Sequence, residues 1–155
     1  MTAAPYPAFE DFVPGEITTF GAYAVTKEEV IDFASQFDPQ PFHLDEEAGR
    51  ASMLGGLAAS GWHTCSILMR MMFDHFMNGS TSIGSPGIDE VKWIRPVFPG
   101  DVLSVRRTIL DARPSASKPD RGVVRFRFEL MNQKGETVME QTNPIFFARR
   151  NQDAA

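Results

Sequence analysis

The stretch from Leu57 to Met77 constrains the fold more than any other part of the chain. From about Ser60 it reads as a long helix whose apolar residues cover most of its circumference. A helix of that kind needs protein walls all round. His63, Arg70, Asp74 and His75 interrupt it. Charged groups are costly in a membrane span, so the expectation is a buried helix in a cytoplasmic protein with no membrane partner.

The walls can come from downstream. Val124, Phe126, Phe128 and Leu130 alternate with Arg125, Arg127 and Glu129, the period of a strand with one buried face. Gly87 to Val97, Val102 to Ala112 and Glu136 to Ala148 also read as strands, with Asn78 to Gly87 and Arg113 to Gly122 as loops. Pro144 predicts that the last strand is partly an edge or bulged. Upstream, Phe9 to Gly15 is an irregular lead-in and Ile17 to Val25 a strand. Thr26 and Glu29 form a capping box for a helix with Val30, Phe33, Ala34 and Phe37 on one face. It stops before Pro39. Asp45 caps a short helix beyond it. Helices and strands are segregated, so the class is α+β, with an antiparallel sheet curled around the long helix. At 155 residues, without a linker or a repeat, the chain is expected to form one domain spanning 1–155, with 1–8 and 150–155 peripheral.

Composition narrows the function. A net charge of -5 argues against a nucleic-acid partner. A local cationic cluster could still hold phosphate, and Arg106, Arg107, Lys118, Arg121, Arg125 and Arg127 are the candidates. Cys65 is the one cysteine, so no intrachain disulfide forms and a reducing compartment is the simplest reading. The 13 Phe and 8 Met suit either a core or a tunnel for an acyl chain. His63 and His75 have no ligand-spaced partner, so no metal is expected.

The segment with most chemical content is Phe37-Asp38-Pro39-Gln40-Pro41-Phe42-His43-Leu44-Asp45. Two prolines stiffen a loop bracketed by a carboxylate and an imidazole. Asp38 and His43 together can hold a water, take its proton and return it to a neighbouring atom. Each residue also has a structural reading, Asp38 as a helix-end residue and His43 as a buried hydrogen-bonder. The second segment, Gly55-Gly56-Leu57-Ala58-Ala59-Ser60-Gly61-Trp62-His63-Thr64, puts small residues before the long helix. Its N–H groups could steady a negative oxygen, or the glycines could simply serve a turn.

Taken together, Asp38-Pro39-Gln40-Pro41-Phe42-His43-Leu44-Asp45, Gly55 to Gly61 and Ile94-Arg95-Pro96-Val97-Phe98-Pro99-Gly100-Asp101 resemble MaoC-like dehydratases and (R)-specific enoyl-CoA hydratases. The resemblance runs over roughly residues 10 to 148. It implies a hot-dog fold and reversible addition of water to a trans-2-enoyl-CoA, giving a 3-hydroxyacyl-CoA of (3R) configuration. It also implies catalytic roles for Asp38 and His43, and an oxyanion contact from the Gly61 N–H. Ser60, Gln40 and Trp62 would line the approach. No cofactor beyond the coenzyme A thioester substrate is implied, and a homodimer or dimer of dimers is. Gln40 and Ser60 stand where many hydratases of the family have Asn and His, which bears on acyl preference. The alternatives are a thioesterase on the same fold and a non-enzymatic acyl-CoA-binding subunit.

Overall fold

The computed structural model describes residues 6–150. The strand β1 (Ile17–Ala24) is followed by helices α1 (Lys27–Phe37), α2 (Glu46–Ala51) and α3 (Gly61–Met72). Strands β2 (Ser82–Gly84), β3 (Glu90–Trp93), β4 (Val102–Pro114), β5 (Arg121–Met131) and β6 (Thr137–Ala148) complete the chain. All pairings are antiparallel, in the order β1-β4-β5-β6, and β2 and β3 share the far edge of β6. The sheet curls around α3, as the apolar circumference of that helix requires. No helix among the described residues is long and apolar enough to cross a membrane.

The local signals explain the boundaries. Thr26 Oγ1 accepts from the Glu29 N–H at 3.2 Å while Glu29 accepts from the Thr26 N–H at 2.9 Å, so two otherwise unpaired helix-end donors are satisfied. Asp45 caps α2 through the Ala48 N–H. Ser60 caps α3 through the Trp62 N–H. Beyond Met72 the helix continues as a wider π turn, Phe73–Met77. That turn sets Phe76 among Phe12, Phe20, Phe126 and Phe128. The inward face of β5 is fully buried at Val124, Phe126, Phe128 and Leu130, as its alternation demands.

Several expectations need correction. The long helix is not walled all round: Trp62, Met69 and Phe73 form an exposed apolar stripe along it. Phe37 faces outward at the last turn of α1 and only brushes Phe33. The loop read over Asn78 to Gly87 contains β2, and the strand read over Gly87 to Val97 shrinks to β3. β4 runs on to Pro114, through residues read as loop, because Gly122 pairs with it there. β6 does keep the local edge that Pro144 predicts: Pro144 pairs with Arg125 on one side, and on the other it falls in the gap between Thr142, opposite the first residue of β3, and Phe146, opposite the last residue of β2. A residue without an N–H loses nothing in that gap, and the Ser85 hydroxyl donates to the Pro144 carbonyl at 2.6 Å. The lead-in contributes Ala8, Phe9 and Phe12 to the core, and Arg150 pairs with Asp11. The fraying expected of Asn151 to Ala155 lies outside the described residues.

Candidate active site

The Asp38–His43 loop is held in place by the end of α1 and by the small-residue segment before α3. Asp38 closes α1 by donating its N–H to the Ala34 carbonyl at 2.9 Å. Pro41 to His43 form a single tight helical turn, which carries the imidazole back toward the carboxylate. Buried Leu57, Ala58, Ala59 and Ser60 lie behind them. Ala59 is fixed by the Val97 carbonyl at 2.8 Å. Small side chains are needed where α2 packs on this segment: a Cβ on Gly49 would sit 2.5 Å from the Gly56 backbone.

The two candidate side chains converge. His43 Nε2 lies 3.4 Å from Asp38 Oδ2, and both side chains are largely buried. The other ring nitrogen, Nδ1, lies 2.7 Å from the Ala58 carbonyl. A carbonyl only accepts, so Nδ1 carries the proton. In the neutral ring Nε2 is then an acceptor, and it faces a second acceptor on Asp38. The arrangement asks for something between them that donates twice.

Three contacts set the charge of Asp38. Burial pushes its carboxyl up, but the Ser60 hydroxyl, the Gln40 amide and, when its ring is protonated, the neighbouring His43 outweigh it and hold the group below the ordinary carboxylate value. Ser60 Oγ donates to Oδ2 at 2.7 Å and Gln40 Nε2 to Oδ1 at 2.7 Å. Ser60 is wholly buried and its hydroxyl turns to Asp38 rather than to the cleft mouth. Gln40 is exposed but engaged, not a bystander in solvent.

Gly61 opens α3, and its N–H has no acceptor among the described residues. The reason for glycine here is specific. A Cβ would fall 2.4 Å from Cε2 of Trp93, whose indole N–H donates to the Gly61 carbonyl at 3.0 Å. Sequence reasoning missed Trp93 as a site residue. The available signal was its two-residue spacing from Val91, which puts both on one face of a strand. Trp62 packs edge-on to Trp93 at 5.3 Å and is largely exposed.

Asp38, Gln40, His43, Gly61, Trp62 and Trp93 line one cleft of about 460 Å³. Arg95 lines it too, 3.4 Å from Glu136. The cations proposed from sequence do not line this cleft. Arg106 and Arg127 pair with Glu129, Arg121 with Asp120 and Arg125 with Asp89. Arg107 is a core residue, its guanidinium over Phe76 at 4.6 Å. His63 stacks on Phe33 and His75 on Phe20, both away from the cleft.

The chain is similar to known proteins over most of its length. Residues 11–127 match the MaoC like domain family. A crystal structure of a MaoC-like dehydratase from Rhodospirillum rubrum is 42% identical, with a TM-score of 0.85, over 92% of this chain and 97% of that one. A mesaconyl-CoA hydratase of Cereibacter sphaeroides is 29% identical over 88 residues, 52% of this chain but only 25% of that longer protein. The unliganded (R)-hydratase PhaJ1 of Pseudomonas aeruginosa shares the fold at 19% identity and a TM-score of 0.73, over 94% of this chain and 88% of that one. The sheet wrapped on α3 is therefore a hot-dog fold, and the chain belongs to the MaoC-like dehydratase family.

Proposed function

We propose that this protein is an acyl-CoA hydratase/dehydratase that adds water reversibly to a trans-2-enoyl-CoA. The observation that carries the proposal is the pair of facing acceptors, His43 Nε2 and Asp38 Oδ2, 3.4 Å apart in a cleft that Gly61 also lines, its N–H without an acceptor among the described residues. A water donates one hydrogen to each and turns its oxygen toward the substrate. Its oxygen bonds to the β-carbon as His43 Nε2 takes a proton. Charge moves to the thioester oxygen, where the Gly61 N–H and the positive end of α3 hold it. The imidazolium then gives its proton to the α-carbon, so the net change is one water added across the double bond. Asp38, kept ionised by Ser60 and Gln40, stabilises that imidazolium.

Likeness to a mesaconyl-CoA hydratase supports a thioester substrate, and the shared fold with (R)-hydratases supports a (3R) product. Arg95 is the cation placed to meet a coenzyme A phosphate, with Gln40 and Trp62 along the approach. A second copy of the chain would cover the Trp62–Met69–Phe73 stripe and the outer edge of β3, which favours a homodimer.

The test is the loss of conjugated-thioester absorbance when purified protein meets crotonyl-CoA and longer enoyl-CoAs. Turnover is expected in wild type and not in Asp38→Asn or His43→Gln. Unchanged rates in both variants would sink the mechanism. Release of thiol without hydration would instead indicate a thioesterase, and tight binding without either reaction a carrier.

A further inference from the structure

A second cavity of about 310 Å³ lies between α3 and β6, lined by Cys65, Leu68, Met69, Met72, Ile88 and Ile145 among others. It begins one helical turn past Gly61 and extends toward Met72. At 1.5 Å per residue that is roughly 6 to 16 Å along the helix. Its wall on β6 is anomalous. The inward face of β6 runs Met139, Gln141, Asn143, Ile145, Phe147, and all five are buried. Two carboxamides thus interrupt an apolar face at the cavity, and both line it.

Their hydrogen bonding is incomplete. Gln141 Nε2 donates to Asn143 Oδ1 at 3.0 Å, and Asn143 Nδ2 makes only a long 3.4 Å contact with the Pro144 carbonyl next to it. The Gln141 carbonyl oxygen accepts from no described residue. Two amides carry four N–H donors, so at least two more point to no protein acceptor. These amide atoms line the cavity rather than being sealed in the core, so a bound molecule can reach them.

We infer that this cavity takes the distal part of the acyl group, and that the group carries a neutral hydrogen-bonding substituent which pairs with Gln141 and Asn143. The position follows from the strand. Met139 pairs with Trp93 beside Gly61. Gln141 and Asn143 lie roughly 7 and 13 Å farther along β6. A hydroxyl or keto group at that reach gives both donor and acceptor amide atoms a partner. A carboxylate does not suit, because no cation lines the cavity and an uncompensated buried charge is far more costly than a neutral polar group. The inference rests on the proposed reaction for its choice of thioester, but not for its test.

Equilibrium binding to the full chain decides it, with three saturated probes of eight acyl carbons each: octanoyl-CoA, 8-hydroxyoctanoyl-CoA and 7-carboxyheptanoyl-CoA. The hydroxylated probe is expected to bind about tenfold more tightly than octanoyl-CoA, the worth of roughly one net hydrogen bond, with the carboxylated probe weakest. Gln141→Leu and Asn143→Leu should each reverse the preference toward octanoyl-CoA. The wild-type ratio needs no variant to fold. Equal or tighter wild-type binding of octanoyl-CoA overturns the inference, as does absence of binding by all three. Absent hydration with the binding order intact would count against the reaction alone and leave this pocket assignment standing.

Discussion

At its first turn α3 is held by directed hydrogen bonds. Ser60 ties it to Asp38, Asp38 faces His43, and His43 is pinned to Ala58. Two turns later the same helix meets its surroundings through Met69 and Met72, Met77 lies just past it, and all three line the second cavity. The first region specifies a geometry. The second supplies adaptable apolar contact, since methionine side chains are unbranched and readily repacked. The contrast suggests a division of labour along one helix, with reacting atoms fixed at the N-terminus and acyl shape accommodated beyond it. If so, substitutions of similar size should differ sharply in effect according to which end they touch.

The largest effects belong to the facing acceptors. His43→Gln and Asp38→Asn should each lower kcat by about a thousandfold, the range of a lost proton-transfer group. Thermal melting should show the fold retained. Next comes Gly61→Ala. The added methyl collides with the Trp93 indole, so a loss of about 1–3 kcal/mol in stability is expected from overpacking. A fall of about a hundredfold in kcat should accompany it as the amide that meets the thioester oxygen is displaced. Adding Trp93→Leu should recover the melting temperature. A Gly61→Ala variant as stable as wild type would break the account of why glycine stands there.

This pair of predictions also marks what was legible in the sequence. Asp38 and His43 were legible because two prolines and a helix end fix the loop that brackets them, all within a few residues. The capping box at Thr26, the Asp45 cap, the β5 alternation and the extent of the long helix were legible for the same reason, being local. The role of Trp93 was not, because it depends on β3 pairing with β6 and on which residues α3 presents to it. Pro144 was legible too, since a proline signals a missing hydrogen-bond partner, and the missing partner here is the gap between two short strands along the far side of β6. The exposed stripe on α3 escaped notice because an apolar circumference reads the same whether its last wall comes from this chain or from another.

Ser60→Ala should have a smaller effect of a different kind. Without the hydroxyl, the carboxyl of Asp38 loses one of the contacts that hold it below the ordinary value, so its pKa rises. A depressed carboxyl keeps its charge, and its share of stability, until pH falls through the folded-state value. In the variant that fall comes earlier on acidification. The inflection that Asp38 itself contributes on the acid side of kcat/KM should therefore move to higher pH, with about a tenfold loss at neutrality. A variant with lower activity but an unmoved acid limb would show that Ser60 serves only to start α3.

The smallest expected effect tests the other end. Met69→Ala removes more atoms than Ser60→Ala, from a residue that lines the second cavity and is half exposed. The stability of the single chain should stay within about 0.5 kcal/mol of wild type, as for a surface substitution, separately from any effect on pairing through the apolar stripe. The rate on a short enoyl-CoA should change by less than about threefold, while the preference among longer acyl groups shifts. That outcome requires the cavity wall to be slack. A loss of several kcal/mol, or a collapse of activity on every chain length, would mean that Met69 is packed as tightly as the catalytic end, and the two halves of α3 would then be alike in rigidity and different only in polarity.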